Sequence, residues 1–387
     1  MTVPSRLRRR IARLVPQMTR SRDAGESLAA SQWLPADDLA VLQAALLGRI
    51  DRPGRGRRHV AGRTVASSGT GGVPKRARWS VTAMRWQDAA EARSRHWAGL
   101  EPGASRIWVC CNPADRLRRV GALLENTRIV AAGDIAGDES RLAALSEDLV
   151  RRPPDALQGV SNVLAALARE LERRSVALPG TVCFSAGNHL TPWYRRQLEA
   201  VFARPVSERY AVSEVGLLAA SCELGSLHVT AENLLVEIVG ADRAPVAPGG
   251  VGEIAVTMLR NGASTRRFVG DVGLLLEEPC PCGRGLPTIE LLGRASEQIR
   301  LSDGRIVAPR ALFAALDDPV IADARFRHRA GEGILEVEYQ RVPGGDAVDG
   351  VGDRLAALVG PETRVLVSDT ARLWPGAAGK LQLVSSV

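Results

Sequence analysis

The most informative part of this sequence is the stretch Val65-Ala66-Ser67-Ser68-Gly69-Thr70-Gly71-Gly72-Val73-Pro74-Lys75-Arg76. It puts glycines, hydroxyl side chains and two cations into a loop that follows apolar residues. Glycines let the backbone approach a ligand closely, so that several N–H groups converge on one anion, and hydroxyls and a lysine add donors for phosphate oxygens. It is not a Walker loop, because no Gly-Lys-Ser/Thr triplet opens a helix. The stretch predicts a phosphate-binding loop, with a solvated turn as the alternative.

Composition limits the classes of protein to consider. The 387 residues, 45% of them hydrophobic, are enough for a sizeable core and favour two domains. No apolar run has the length of a signal peptide or a membrane span, so we expect a cytoplasmic protein without a membrane partner. Its six cysteines are then thiols or metal ligands. The net charge of +8 favours anionic partners such as nucleotides, coenzyme A or an acidic carrier protein; nucleic acid is disfavoured, because the arginines are scattered and no nucleic-acid-binding motif occurs.

Helical and strand patterns alternate along the first two thirds of the chain. Helical spacing predicts helices, and apolar runs predict buried strands between them. The helices are expected at 81–100, 141–151, 161–174 and 191–202, and the strands at 106–111, 128–132 and 182–184. From residue 227 the pattern becomes β-rich, with strands expected at 234–239, 252–259 and 272–277. This order predicts an α/β fold with a largely parallel sheet.

Five later segments contain residues suited to nucleotide chemistry. They are Ser185–Thr191, Glu208–Gly216, Arg266–Gly273, Leu292–Ile299 and Leu373–Leu381. With the phosphate loop, they resemble in content and order the motifs of the acyl-adenylate-forming (ANL) superfamily. The similarity spans Ser67 to Lys380. It implies a large N-terminal mixed α/β domain, 1–293, that binds ATP and the acyl group, and a small mobile C-terminal α+β domain, 294–387.

The resemblance assigns a role to each matching residue. The loop residues Ser67, Ser68, Gly69, Thr70, Gly71, Gly72 and Lys75 would hold the phosphates, with Lys75 counted among the catalytic residues. Gly187 would permit close approach of the base, Tyr210 would line the nucleotide site, and Ser213 would face the phosphates. Glu214 would hold Mg²⁺, because a bare carboxylate beside a triphosphate would repel it.

Three further positions complete the nucleotide site. Asp271 would accept hydrogen bonds from both ribose hydroxyls, and Arg294 would reach the nucleotide. Lys380 would screen the repulsion between the substrate carboxylate and the α-phosphate. Each motif taken alone also fits an ordinary helix cap or turn, and a lone His189 is more often structural than catalytic.

A cysteine and histidine set points to a metal. Cys222, His228, Cys280 and Cys282 supply three thiols and one imidazole, a closed set of the kind that structural Zn²⁺ prefers. The run from Cys222 to His228 and the later Pro279–Arg284 resemble the phenylacetate–CoA ligase branch of the superfamily. Four reduced, unliganded side chains are the alternative. Cys110, Cys111 and Cys183 lie in apolar runs and are expected in the core.

Several positions depart from the superfamily pattern. Gly71 replaces a threonine, Ala211 a glycine, and Ser296 the hinge aspartate or lysine; Phe313 stands where a glutamate is usual. The altered C-terminal part leaves the acceptor open.

The implied activity is ATP-dependent adenylation of a small carboxylic acid, followed by transfer of the acyl group to coenzyme A. An adenylating amide synthetase or an enzyme that loads an acyl carrier protein is the first alternative. A non-catalytic nucleotide-binding scaffold is the alternative of another class. The implied cofactors are ATP, Mg²⁺, structural Zn²⁺ and coenzyme A.

Overall fold

The computed structural model describes residues 43, 62–66, 76–111, 122, 125–259, 266–346, 348–373, 375 and 379–386. The predicted phosphate-loop residues from Ser67 to Lys75 lie outside this part of the chain. Strands β1 (Gly62–Ala66) and β2 (Arg76–Ser80) flank that loop and pair antiparallel, Ala66 facing Arg76. Helix α1 (Val81–Trp97) follows directly, and the Ser80 side chain caps it by accepting a hydrogen bond from the Ala83 N–H at 3.1 Å.

A seven-stranded sheet forms the centre of the fold. Its strands are β3 (Arg106–Cys110), β4 (Thr127–Ala131), β5 (Ala156–Val160), β6 (Val182–Ala186), β7 (Ser207–Val212), β8 (Gly216–Ser221) and β9 (Leu227–Val229). They lie in the order β4-β3-β5-β6-β7-β8-β9; the first five strands of that order run parallel, and β8 and β9 continue the sheet antiparallel. The helices between them are α2 (Ala132–Ala136), α3 (Glu139–Arg151), α4 (Ser161–Arg173) and α5 (Pro192–Phe202). The α/β prediction with a largely parallel sheet is confirmed.

Helix α4 shows how the sequence builds this layer. Val163, Leu164, Leu167 and Leu171 recur at helical spacing and are each at most 1% exposed. They pack in one apolar cluster with Leu157 of β5 and with helices α3 and α5. Because parallel strands need both faces covered, such a helix is required on this side of the sheet. The other side receives α1, whose Ala89 and Ala90 pack against β8.

An antiparallel sheet follows in chain order. Its strands are β10 (Leu234–Val239), β11 (Gly252–Met258), β12 (Arg267–Leu275) and β13 (Ile289–Arg294), each paired with the next. A short 3₁₀ turn, Ala295–Glu297, comes directly after β13. The β-rich prediction for this region is confirmed, although β12 begins five residues earlier than expected.

The C-terminal part is α+β. Its elements are β14 (Ile299–Arg300), β15 (Ile306–Val307), α6 (Pro309–Ala315), β16 (Ile321–Arg329), β17 (Ile334–Arg341), α7 (Val351–Val359), β18 (Arg364–Asp369) and β19 (Val384–Ser386). A four-stranded sheet in the order β18-β17-β16-β19 carries α6 and α7. Helix α7 is the crossover between the parallel strands β17 and β18.

This C-terminal part packs tightly against α5. Trp193 and Tyr194 of α5 are fully buried in one cluster with Phe313 and Phe326, and the Trp193 and Phe313 rings meet edge to face at 5.6 Å. Polar contacts surround the rings: Gln197 Nε2 and Arg169 Nη1 donate to the Ala322 carbonyl at 2.8 and 3.1 Å. Phe313, a departure noted in the sequence, therefore serves this interface.

A buried carboxyl lies in the same interface. The Tyr194 hydroxyl donates to Asp323 Oδ1, and Asp323 is 4% exposed. Burial raises the pKa of Asp323 to about 6, although the nearby Arg169 charge and the Tyr194 hydrogen bond oppose the shift. Asp323 holds its proton in the folded chain over a pH range where the unfolded chain has lost it.

We expect Asp323→Asn to stabilise the protein at pH 7. A folded pKa above the unfolded value gives stability that is present below about pH 4 and lost as the pH rises through about 6. A pKa difference of two units corresponds to a loss of roughly 3 kcal/mol in the free energy of unfolding when Asp323 ionises. Asparagine cannot ionise, and its side-chain oxygen can still accept the hydrogen bond from Tyr194. Chemical denaturation from pH 4 to pH 8 measures this, with the exposed Asp349→Asn as the control. If the free energy of unfolding changed with pH in the same way in the wild type and in the Asp323→Asn variant, this prediction would be wrong.

Within the described residues, no helix combines the length and apolar character needed to cross a bilayer.

Candidate functional site

Three predicted site residues, Gly187, Ser213 and Glu214, lie where strands of the central sheet end. In such sheets ligands bind outside the carboxyl ends of the strands. Asn162 follows β5, Gly187 and Asn188 follow β6, and Ser213 and Glu214 follow β7. Because β5, β6 and β7 are parallel neighbours, these residues come to one edge.

Tyr210, Asp271 and Arg294 form one cluster. The Tyr210 hydroxyl donates to Asp271 Oδ2 at 2.7 Å, and Arg294 Nε lies 3.1 Å from Asp271 Oδ1. Arg294 Nη1 also donates to the Val269 carbonyl at 3.1 Å. β7 supplies the tyrosine, β12 the aspartate and the end of β13 the arginine, because Asp271 and Arg294 face each other in the β12–β13 register. Three predicted nucleotide residues, far apart in the sequence, are therefore in contact.

Burial dominates the electrostatics of this cluster. Desolvation raises the pKa of Asp271, while the Arg294 charge and the Tyr210 hydrogen bond act in the opposite direction. Desolvation and the neighbouring Asp271 carboxylate also raise the pKa of Tyr210. The hydroxyl therefore stays protonated as a donor, and Arg294 provides the positive charge that compensates an ionised Asp271.

The turn between β7 and β8 carries Ser213 and Glu214. The indole N–H of Trp79 donates to the Glu214 carbonyl at 3.0 Å. Trp79 lies in β2, a few residues after the predicted phosphate loop. The strand that leaves the loop is thus tied to the turn that holds Glu214. The positions of Lys75 and of the predicted loop residues Ser67 to Gly72 stay predictions.

Lys380 reaches the edge of the sheet from the C-terminal part. A Cβ built on Gly187 would lie 3.9 Å from Lys380 Cε and Nζ, so the lysine side chain passes directly over this glycine. Gly187 has φ +81°, a conformation in which side chains are strained. The structure thus brings together two predicted residues that are almost two hundred positions apart.

The backbone on each side of Lys380 is held by the large sheet. Asn162 Nδ2 donates to the Gly379 carbonyl at 2.9 Å, and Asn188 Nδ2 donates to the Leu381 carbonyl at 3.2 Å. Gly379 has φ +78° and packs on α2, where an added Cβ would lie 2.7 Å from the carbonyl carbon of Ala132. No larger residue fits at that position without a shift of the helix.

His189, next to Asn188 in the chain, contacts the turn after β13 and helix α6. Its Nε2 lies 3.3 Å from Glu297 Oε2, in the turn that follows Arg294, and its ring meets Phe313 edge to face at 5.3 Å. These contacts fit the structural role favoured from the sequence.

The core prediction for the remaining cysteines needs one correction. Cys110 and Cys183 are buried as expected, but Cys111 is half-buried, because it comes just after the end of β3 at the edge of the sheet. Burial raises the pKa of the Cys111 thiol, and the Lys380 charge acts against that shift.

The four predicted metal ligands lie close together. The ligand atoms of Cys222, His228, Cys280 and Cys282 are all within 4.8 Å of one another. Cys222 Sγ and Cys280 Sγ are 3.8 Å apart, and Cys282 Sγ lies 3.3 Å from His228 Nε2. A tetrahedral zinc with bonds of about 2.3 Å to sulfur and 2.0 Å to nitrogen requires separations of about 3.8 and 3.5 Å. The set fits this ion.

The surroundings of this set also favour a cation. His228 Nδ1 lies 3.1 Å from the Leu286 carbonyl, which can only accept, so Nδ1 carries the proton and Nε2 offers its lone pair. Arg284 forms an ion pair with Glu223 at 2.8 Å and lies close enough to Cys282 for the two charges to interact. Three thiolates around Zn²⁺ would leave one net negative charge, and the nearby Arg284 guanidinium would offset part of it.

Sequence reasoning did not single out Asn162 or Trp79. Asn162 could have been identified from its position in the first turn of a helix directly after a buried strand. Nothing in the sequence marks Trp79 except that it follows the predicted phosphate loop closely.

No family model and no curated protein matches the sequence. Solved structures do match. A 2-hydroxyisobutyryl-CoA ligase in the postadenylation state with 2-HIB-AMP aligns with a TM-score of 0.69 at 18% identity, covering 92% of this chain and 79% of that one. ATP-bound MatB from Rhodopseudomonas palustris aligns at TM-score 0.59 and 15% identity, covering 82% and 66%. The amide bond synthetase McbA from Marinactinospora thermotolerans aligns at TM-score 0.59 and 16% identity, covering 80% and 66%. The chain therefore has the fold of the acyl-adenylate-forming ligases.

Proposed function

We propose that this protein is an acyl-adenylate-forming ligase that activates a small carboxylic acid with ATP. The observation that carries the proposal is the place of Lys380 over Gly187, at the same edge of the sheet as the Tyr210–Asp271–Arg294 cluster. A nucleotide bound across this edge would have its ribose at Asp271, and its phosphates would extend toward the Glu214 turn and the predicted loop Ser67 to Lys75.

The chemistry follows from the charges at this edge. A substrate carboxylate oxygen attacks the α-phosphorus of ATP, the bond to the bridging oxygen breaks, and pyrophosphate leaves with the electron pair. Two anions approach in that step, so Lys380 lowers its barrier by placing a mobile cation between them. Asp271 would fix the ribose through its two carboxylate oxygens. Mg²⁺, held by Glu214, would neutralise the charge of the triphosphate.

We further propose two domains, 1–293 and 294–387, with the second mobile. Lys380 belongs to the second, so rotation of that domain would withdraw the lysine after adenylation and admit an acceptor. Coenzyme A is the acceptor that we favour. The structures similar to this chain include a 2-hydroxyisobutyryl-CoA ligase in complex with 2-HIB-AMP and CoA and the amide bond synthetase McbA, so an amine is the alternative acceptor, and a carrier-protein thiol is a third.

The cysteine and histidine set supports a further proposal, a structural zinc site. Its four side chains come from the β8–β9 hairpin and from the segment before β13, so one ion would join two sheets. Cys222, His228 and Cys280 are buried, and the set has no position left open for a substrate. The comparison with the phenylacetate–CoA ligase branch stays a prediction.

The function is tested by pyrophosphate release from ATP across a panel of aryl, short acyl and amino acids, with no acceptor added. We expect release with one class of acid, because the predicted residues for the first step lie together. That acid would then be used with coenzyme A and amines. Measurable ATP binding without release for any acid, in the presence or absence of acceptors, would favour the non-catalytic scaffold.

A further inference from the structure

We propose that Asn162 and Asn188 are positioning residues for Lys380, an inference that rests on the proposed adenylation step. Both side-chain amides belong to the central-sheet layer. They donate to the carbonyls of Gly379 and Leu381, the residues on either side of the lysine. The two bonds therefore fix the peptide units that flank Lys380.

Fixing the backbone matters because lysine is a flexible point charge. Its ammonium sits on a four-carbon stem and loses much rotamer freedom when it must occupy one place. Because both flanking carbonyls are held, the ammonium group of Lys380 can move only by rotation about the side-chain torsions. The cation is then kept over Gly187, at the carboxyl ends of β5 and β6.

The amides are themselves rigidly supported. Asn162 is 6% exposed and lies in the first turn of α4, and its Oδ1 accepts from Asn188 Nδ2 at 3.3 Å. Ser161 Oγ donates to the Asn188 carbonyl at 3.1 Å and lies 2.8 Å from Ser185 Oγ. These bonds join the ends of β5 and β6, so the two donors are set in place before the C-terminal part docks.

The arrangement also makes the contact specific to one domain orientation. Asn162 and Asn188 belong to the proposed 1–293 domain, whereas Gly379 and Leu381 belong to 294–387. Any rotation that withdraws Lys380 must break both bonds. The asparagines therefore act on the adenylation step, through Lys380, and not on the later transfer.

The test uses Asn162→Ala, Asn188→Ala and the double variant, with the acid that gives pyrophosphate release. Each single variant is expected to lower kcat for pyrophosphate release about tenfold, and the double variant about a hundredfold. The KM for ATP should stay within about twofold of the wild-type value. In a Lys380→Ala background the same double change should add no further loss, because the amides act through the lysine. Gln382→Ala, exposed on the same segment, is the matched control.

A second readout does not depend on activity. Hydrogen exchange of 379–386 should be at least about tenfold faster in the double variant than in the wild type, and unchanged in Gln382→Ala. Asn162→Asp removes the same donor at equal size and replaces Asn162→Ala if the alanine variant unfolds.

This inference would be overturned if the double variant exchanged the amide hydrogens of 379–386 at the wild-type rate. It would also be overturned if the double change lowered kcat as much in the Lys380→Ala background as in the wild type. Absence of pyrophosphate release by the wild type, together with faster exchange in the variant, would overturn the proposed function instead.

Discussion

Lys380→Ala should lower carboxylate-dependent pyrophosphate release about 10³-fold, because removal of a cation aimed at developing charge costs on the order of 10² to 10³ in rate. ATP affinity should stay within about twofold, since the nucleotide contacts assigned to Asp271 and Arg294 do not involve the lysine. Release is followed by a coupled pyrophosphate assay, and ATP binding by calorimetry.

Two control variants make the Lys380 result specific. Lys380→Arg keeps the charge and should recover part of the rate, since the planar guanidinium cannot occupy the place of a compact ammonium. Arg364→Ala removes an exposed cation of β18 from the same C-terminal region, and its loss should leave the chemistry near the wild-type level. A parallel fall of ATP affinity and release in Lys380→Ala would contradict the assigned role.

Cys280→Ser should remove the metal and much of the stability. We expect about one zinc per purified chain in the wild type and less than about 0.2 in the variant, with the unfolding temperature lowered by roughly 10 °C. The reason is that the ion would tie the β8–β9 hairpin to the segment before β13, where the ligand atoms converge. Elemental analysis and calorimetry of the same samples measure both effects.

The matched control is Cys111→Ser, a change at a half-buried cysteine outside the set. It should keep its zinc and nearly all of its stability. Addition of a strong chelator to the wild type should reproduce the Cys280→Ser unfolding temperature. A wild type without zinc after purification from zinc-supplemented cells, or a Cys280→Ser variant with full zinc content, would reject the site.

Most helices and strands, and the residue types suited to nucleotide and metal binding, could be predicted from the order of the amino acids. Helix α4 was predictable because Val163, Leu164, Leu167 and Leu171 repeat at helical spacing, a local property of the chain. The content and order of the motifs resemble those of the acyl-adenylate-forming superfamily, and that resemblance implied the fold and a shared nucleotide site for Tyr210, Asp271 and Arg294. Cysteine and histidine chemistry likewise pointed to the four-residue metal set before any distance was known.

The contacts between these elements could not be predicted in this way, because they depend on how distant parts of the chain pack together. The bond from Asn162 to the Gly379 carbonyl joins residues 217 positions apart, and no periodicity encodes it. The same holds for Tyr194 and Asp323, whose meeting depends on how the C-terminal sheet packs against α5. A polar side chain that holds a distant backbone carbonyl resembles any other asparagine or tyrosine in a sequence. The path of the chain sets its partner, and with it the place of Lys380.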